Sequence, residues 1–372
     1  MRIVFWQNCL SPHQLPYITH LLDDERIDKV IVVAGEAISK GRAKMGWEVK
    51  DFPGIERCDV YLDPMPQIMD YLFSLRPDDT WHLFSGIRGF RFVFDALKRS
   101  LNYKLKRGLI MELPNTFAFG MAGIKPLWLH CLRFLFQDKK YASCFTKVFA
   151  MGQRAVDYYS SLYSSWQVYP FAYCTVNDEE MLPTIKESAK FVFVGSLSPW
   201  KSPFTIIEAA SLNVHKYSKM EITMVGDGVE RRRIESAMEA KGLENITLLG
   251  TRSNSEIPSI LLQQDILILP SLYDGWGAVV NEALSCGCYV VCSDHCGAKD
   301  LLIGHPRLGK VFKAKDYRQL AAIMEDCCRN IQTIRNDRNY RLQWARQCIS
   351  GSAIAHYMVD CLTDTSTKQP WI

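Results

Sequence analysis

Two carboxylates eight positions apart, Asp274 and Glu282, flank the turn Gly275-Trp276-Gly277 in "PSLYDGWGAVVNEALSCGCYVVCSDHCG", residues 270–297. Four cysteines follow at 286, 288, 292 and 296. The stretch reads as an acid/base pair, as a zinc motif, or as a strand and helix with incidental side chains. The apolar run Ile266–Leu269 predicts a strand leading into Pro270-Ser271, a loop, and a helix from about Ala278 to Ser285. Asp274 then lies on the loop and Glu282 on the helix. Free N–H groups around Gly277 and Ala278 would hold a diphosphate, and the two carboxylates would accept ribose and sugar hydroxyls. That set of groups suits a nucleotide sugar.

Three strand ends upstream carry glycine. Gly195-Ser196 is followed by Ser198, Lys201 and a helix from about Pro203. Two readings stand there: a phosphate site with a cation beside a helix start, or an ordinary turn with a solvated lysine. Gly226-Asp227-Gly228 is half of a dinucleotide fingerprint without its third glycine, and Arg231 to Arg233 read as a solvated helix face. Gly250 opens a polar loop with Thr251 and Arg252, before a helix started by Ser253 or Ser255. Three successive glycine-ended strands favour one shared ligand site over three coincidences.

These segments need a scaffold, and the chain supplies thirteen short apolar runs alternating with amphipathic stretches. The first seven are Arg2–Trp6, Lys29–Ala34, Val60–Leu62, Trp81–Phe84, Gly108–Glu112, Val148–Met151 and Gln167–Pro170. The other six are Phe191–Val194, Glu221–Val225, Ile246–Leu249, Ile266–Leu269, Tyr289–Cys292 and Lys310–Phe312. Several are apolar without alternation, as in strands covered on both faces. The pattern predicts α/β architecture with two doubly wound parallel sheets, ligands beyond the strand ends and a site in the cleft between domains. The expected division is 1–172, a polar linker over 173–190, 191–345, and a C-terminal helix and tail over 346–372 returning to the first domain.

At 372 residues, with 48% hydrophobic and 23% charged residues, the composition is that of a two-domain globular protein. The net charge of +4 does not point to nucleic acid. No apolar run approaches the roughly 20 residues of a spanning helix, and the start lacks signal-peptide features. Thirteen scattered cysteines fit reduced thiols, so a cytoplasmic location is expected.

Over about residues 190–330 the chain resembles the retaining glycosyltransferases of the GT-B fold, family four. The resemblance rests on Gly195…Lys201, Gly226-Asp227-Gly228, Gly250, Pro270-Ser271, the Asp274/Glu282 pair and "EALSCGCYVVCSDHCG". It implies two Rossmann-like domains facing across a cleft and transfer of a sugar from a nucleotide-diphosphate donor. In that picture Glu282 holds the ribose, Asp274 the donor sugar, and Lys201 the diphosphate. Gly195, Ser196, Gly226, Thr251, Arg252, Gly275, Trp276, Gly277 and Ala278 complete the donor site. Two departures stand out: Asp274 replaces the family's glutamate, and Ser196 replaces its basic residue. They keep alive the alternative of a catalytically weak nucleotide-sugar or glycan-binding homologue; a sugar-nucleotide epimerase is the other. The cysteines fall where the family has small or apolar residues, and alternating strand side chains do not converge on an ion. No D-x-D triplet occurs, so no metal and no other cofactor is expected.

The acceptor side is expected in the first half, with His13, Arg88, Glu112 and Asn115 as candidates and Glu112 in the catalytic set. His13 reads equally as a cap of a helix near Gln14–Leu22. The segment 124–140 mixes Trp128, Leu132, Phe134 and Phe136 with Lys125, Arg133, Lys139 and Lys140. It reads either as a core-facing helix with a basic end or as a membrane-surface helix serving a lipid-linked acceptor. A glycan or lipid-linked oligosaccharide is the expected partner, at the cytoplasmic membrane face.

Overall fold

The computed structural model describes residues 1–43, 46, 54–115, 127–175, 188–213 and 220–372. Most of the expected linker and the start of the 124–140 segment lie outside them. The chain divides into two compact units, one holding the first seven strands together with Cys348–Ile372, the other holding Val176–Gln347.

The first unit is built on β1 (Arg2–Cys9), β2 (Lys29–Glu36), β3 (Asp59–Leu62), β4 (Thr80–Phe84), β5 (Lys106–Met111), β6 (Lys147–Met151) and β7 (Gln167–Phe171). Their order is β3-β2-β1-β4-β5-β6-β7, with every pairing parallel. Every residue of β4 and β6 is buried. That explains why these runs do not alternate: helices cover both faces. Trp6 anchors one face, stacked on Phe73 at 4.8 Å, and its indole N–H donates to His82 Nδ1 at 3.2 Å. The C-terminal helix Gly351–Thr363 packs on the helix Leu15–His20. Beyond it, Lys147 Nζ donates to Cys361 O at 2.6 Å and pairs with Asp364.

The second unit is built on β8 (Ala189–Val194), β9 (Met220–Val225), β10 (Ile246–Gly250), β11 (Ile266–Leu269), β12 (Tyr289–Ser293) and β13 (Gly309–Phe312). The order is β10-β9-β8-β11-β12-β13, again all parallel. The helix Val279–Ser285 ends in carbonyls that cannot be satisfied internally. Buried Arg338 donates to Cys286 O at 2.6 Å and Arg341 to Gly287 O at 2.8 Å, which fixes the far end of that helix. Each of the thirteen apolar runs is a strand, extended by one to three residues in most cases. In each sheet the order reverses once, between β1 and β4 and between β8 and β11, and such reversals open a crevice beyond the strand ends.

Candidate functional site

At the reversal of the second sheet the loops after β8 and β11 run side by side. Leu272 N and Tyr273 N both donate to Trp200 O, at 2.7 and 3.3 Å. This backbone tie brings Lys201 onto Asp274, and the ammonium pairs with Oδ2. The side chains are 22% and 12% exposed, so the pair is only partly open to water. Ser271 Oγ donates a longer bond to the same oxygen, at 3.4 Å. Ser202, next to Lys201, holds a left-handed φ of 52° and its hydroxyl pairs with Thr205 Oγ1 at 2.9 Å.

The Gly275-Trp276-Gly277 turn is clamped from behind by the loop after β12. Asp274 N donates to His295 O at 3.3 Å, Gly297 N to Asp274 O at 3.2 Å, and Ala298 N to Trp276 O at 2.7 Å. Trp276 is buried, and its indole N–H reaches Asn281 Oδ1 at 2.7 Å, tying the turn to the helix that carries Glu282. Gly277 has φ of 94°, and a Cβ there would stand 2.7 Å from Cys296 Sγ. Only glycine fits. Ala278 is the residue from which the helix departs. Burial pushes the Glu282 carboxyl up to about 7.

The other glycine loops are knitted to the first. Gly195 N donates to Val225 O at 3.0 Å, Gly226 N to Gly250 O at 2.8 Å, and Leu197 N to Asp227 O at 2.9 Å. A side chain at Gly226, whose φ is 131°, would run into the Gly195 carbonyl. The structure thus accounts for this glycine by neighbouring backbone, a packing reason invisible in the sequence. Ser196 pairs with Ser198, hydroxyl to hydroxyl at 2.8 Å. Thr251 is exposed and Arg252 half-buried on the loop after β10. The helix beyond is Ile257–Leu262, with Glu256 rather than Ser253 or Ser255 at its start. The Glu256 carboxylate instead takes up Ser253 N and Ser253 Oγ, each at 2.8 Å.

In the first unit His13 follows β1; the N-cap position of the helix Leu15–His20 is Gln14, whose side chain makes no capping bond, so His13 lies one residue before the cap position. Burial and the charge of Arg42 lower the His13 imidazole to about 3, which keeps it neutral. Its ring lies 6.2 Å from that of Tyr173. Tyr173 donates its hydroxyl to Glu112 Oε1 at 2.7 Å, and Tyr159 donates to the Glu112 carbonyl at 2.7 Å. The ends of β1, β5 and β7 therefore bring His13, Glu112 and Tyr173 together. Tyr173 was missed by sequence reasoning, because it sits where the domain boundary was drawn. An aromatic hydroxyl two residues past a strand end was the available signal. Arg88 sits 3.6 Å from Asp138 and over the Phe94 ring at 5.1 Å. Asn115 is exposed beyond β5.

The segment 127–142 is the helix Leu127–Arg133, a π-turn Phe134–Asp138 and a last helical turn to Ala142. Phe134 alone of the expected aromatic set is buried; Trp128, Leu129, Leu132, Leu135 and Phe136 are exposed, Phe136 by 82%. A core-facing helix would bury them. The clustered cysteines are buried, with Cys288 Sγ donating to Leu261 O at 3.2 Å and Cys296 Sγ to Trp276 O at 3.0 Å. Among the described residues no three His, Cys, Asp or Glu side chains are grouped to hold a metal ion, and no helix is long and apolar enough to cross a membrane.

Residues 177–341 match the family "Glycosyl transferases group 1". An uncharacterized glycosyltransferase of Methanocaldococcus jannaschii is 29% identical over 112 residues, 30% of this chain and 30% of that one. The UDP-Gal:alpha-D-GlcNAc-diphosphoundecaprenol alpha-1,3-galactosyltransferase of Escherichia coli is 32% identical over 115 residues, 29% of each. The matched stretches thus span about 30% of these relatives' own length. HepE of Anabaena, solved in complex with UDP and glucose, superposes with a TM-score of 0.69 at 15% identity over 98% of this chain and 100% of its own. The fold is therefore GT-B, and the stretch that carries Lys201, Asp274 and Glu282 is matched to the group 1 glycosyl transferases.

Proposed function

We propose that the chain is a retaining glycosyltransferase that moves a sugar from a UDP-sugar to a glycan or lipid-linked oligosaccharide, with no metal ion at the diphosphate. The observation that carries this is the Lys201–Asp274 pair at the reversal of the second sheet, with Glu282 eight residues further on, inside the segment matched to group 1. The UDP in HepE and the UDP-linked donor in the name of the E. coli relative support the choice of nucleotide. That relative's diphosphoundecaprenol-linked acceptor supports a lipid-linked partner.

In this reading Glu282 accepts from the ribose hydroxyls and Asp274 from those of the sugar. As the anomeric C–O bond breaks, negative charge grows on the leaving diphosphate. Lys201 supplies the positive charge that meets it, a role usually worth several kcal/mol in a site largely closed to water. The acceptor hydroxyl attacks on the face the diphosphate leaves, and a leaving phosphate oxygen takes its proton. No separate general base is then required. His13, Glu112, Tyr173 and Asn115 are the acceptor-side groups; Arg88, engaged with Asp138, has the weakest claim among them. Proton NMR of the product tests the stereochemistry: an α-linked product from an α-linked donor supports the reading, and a β-linked product refutes it.

The exposed Trp128, Leu129, Leu132, Leu135 and Phe136, beside Arg133, Lys139 and Lys140, form an apolar face with a basic border. That combination suits the interface of an anionic bilayer, where apolar groups enter the acyl boundary and cations meet lipid charge. We assign this face to peripheral membrane contact, which would bring a lipid-linked acceptor to the enzyme.

A further inference from the structure

We infer that the Lys201–Asp274 pair is a contact exchanged on donor binding, so that diphosphate and sugar are read jointly and not one at a time. The inference rests on the donor-site reading above. Both partners are mostly withdrawn from water, and they come from two loops fixed to each other through Trp200 O. Among the described residues the other polar contact to the Asp274 carboxylate is the 3.4 Å hydroxyl of Ser271. Lys201 therefore serves as the main counter-charge of Asp274.

A diphosphate that recruits Lys201 takes that counter-charge away. Asp274 is then left partly buried, beside new negative charge, with one weak donor. A buried carboxylate in that position disfavours the complex. A sugar attached to the diphosphate reverses the penalty, since its hydroxyls donate to the freed carboxylate in charge-assisted bonds. UDP alone breaks the pair without replacing it, whereas the UDP-sugar replaces both halves. The pair acts as a built-in discriminator against the product nucleotide and so favours its release.

The test is calorimetric titration of the full chain with UDP and with UDP-sugars. In the wild type the matching UDP-sugar should bind at least about tenfold more tightly than UDP, the gain expected of one charge-assisted contact. Asp274→Asn removes the carboxylate that must be compensated. UDP should then bind about tenfold more tightly than to the wild type, and the preference for the UDP-sugar should collapse. In a Lys201→Met background the same substitution should gain clearly less, because only the repulsion between carboxylate and diphosphate is relieved and no pair remains to be broken. Asp274→Ala serves as a second variant, with thermal melting as the check on folding. In the wild type itself the Lys201 ammonium NMR signal, assigned by its loss in Lys201→Met, should shift on adding UDP. An Asp274→Asn protein that binds UDP no more tightly, or gains equally with and without Lys201, overturns the inference while leaving the donor site intact. A wild type that binds neither UDP nor any UDP-sugar overturns the donor-site reading as well.

Discussion

Replacing Glu282 by glutamine separates what this residue does for the fold from what it does for the donor. Burial raises the Glu282 carboxyl from its ordinary 4.5 to about 7, so between these values the folded chain binds the proton that the unfolded chain has released. Stability attributable to this group is therefore fully present below pH 4.5 and is lost as pH rises through about 7. At about 1.4 kcal/mol per pH unit, the loss is up to about 3 kcal/mol by pH 8. A neutral amide of similar shape avoids it. Glu282→Gln should thus melt with the wild type near pH 4.5 and roughly 6–12 °C above it at pH 8, for a cooperative unit of this size. Over the same range the wild type should bind UDP more tightly as pH rises through 7, since only the carboxylate accepts two ribose hydroxyls. The variant should bind UDP weakly at every pH. The assay is a pair of thermal melts and titrations from pH 4.5 to 8.5. A melting difference that does not grow with pH, or a variant less stable than the wild type at pH 8, refutes the argument that burial sets the state of Glu282.

Lys201→Ala should lower kcat with a UDP-sugar by roughly 10²–10³, the cost of losing one preorganised group at a developing anion. Wild-type turnover should survive EDTA; strict dependence on added Mg²⁺ would show that the protein does not supply the positive charge. Changing Trp128 and Phe136 to serine with Lys139 and Lys140 to glutamate should abolish sedimentation with anionic liposomes while UDP-sugar hydrolysis continues. If the wild type never sediments with them, the acceptor is soluble. Gly277→Ala should cost about 1–3 kcal/mol of stability, because its φ of 94° and the Cys296 sulfur both exclude a side chain.

Strand positions were legible because a parallel sheet buried on both faces leaves a local mark, an uninterrupted apolar run such as Ile266–Leu269 bounded by turn residues. The spacing of Asp274 and Glu282 was legible for the same reason, since loop and helix follow the strand directly. What could not be read were pairings between distant segments. Lys201 and Asp274 are 73 residues apart and Tyr173 and Glu112 are 61 apart, and each meeting depends on the strand order of its sheet. Arg88 presented itself as a cation at a strand end; its engagement with Asp138 follows from where the π-turn after the helix Leu127–Arg133 falls. The close approach of Gly226 to the Gly195 carbonyl, which requires a glycine there, is another such meeting of separate segments. The orientation of the 124–140 segment was undecidable locally, because the same mixture of apolar and basic residues serves a buried helix or an exposed one.

The proposed activity is transfer of a sugar from a nucleotide-diphosphate donor. A donor-by-acceptor array read by mass spectrometry tests it directly, with UDP-, GDP- and ADP-sugars against glycans and lipid-linked oligosaccharides in the presence of EDTA. The prediction is an acceptor heavier by one sugar residue with UDP released, for at least one UDP-sugar. Neither binding nor hydrolysis nor transfer of any donor in the array would contradict it.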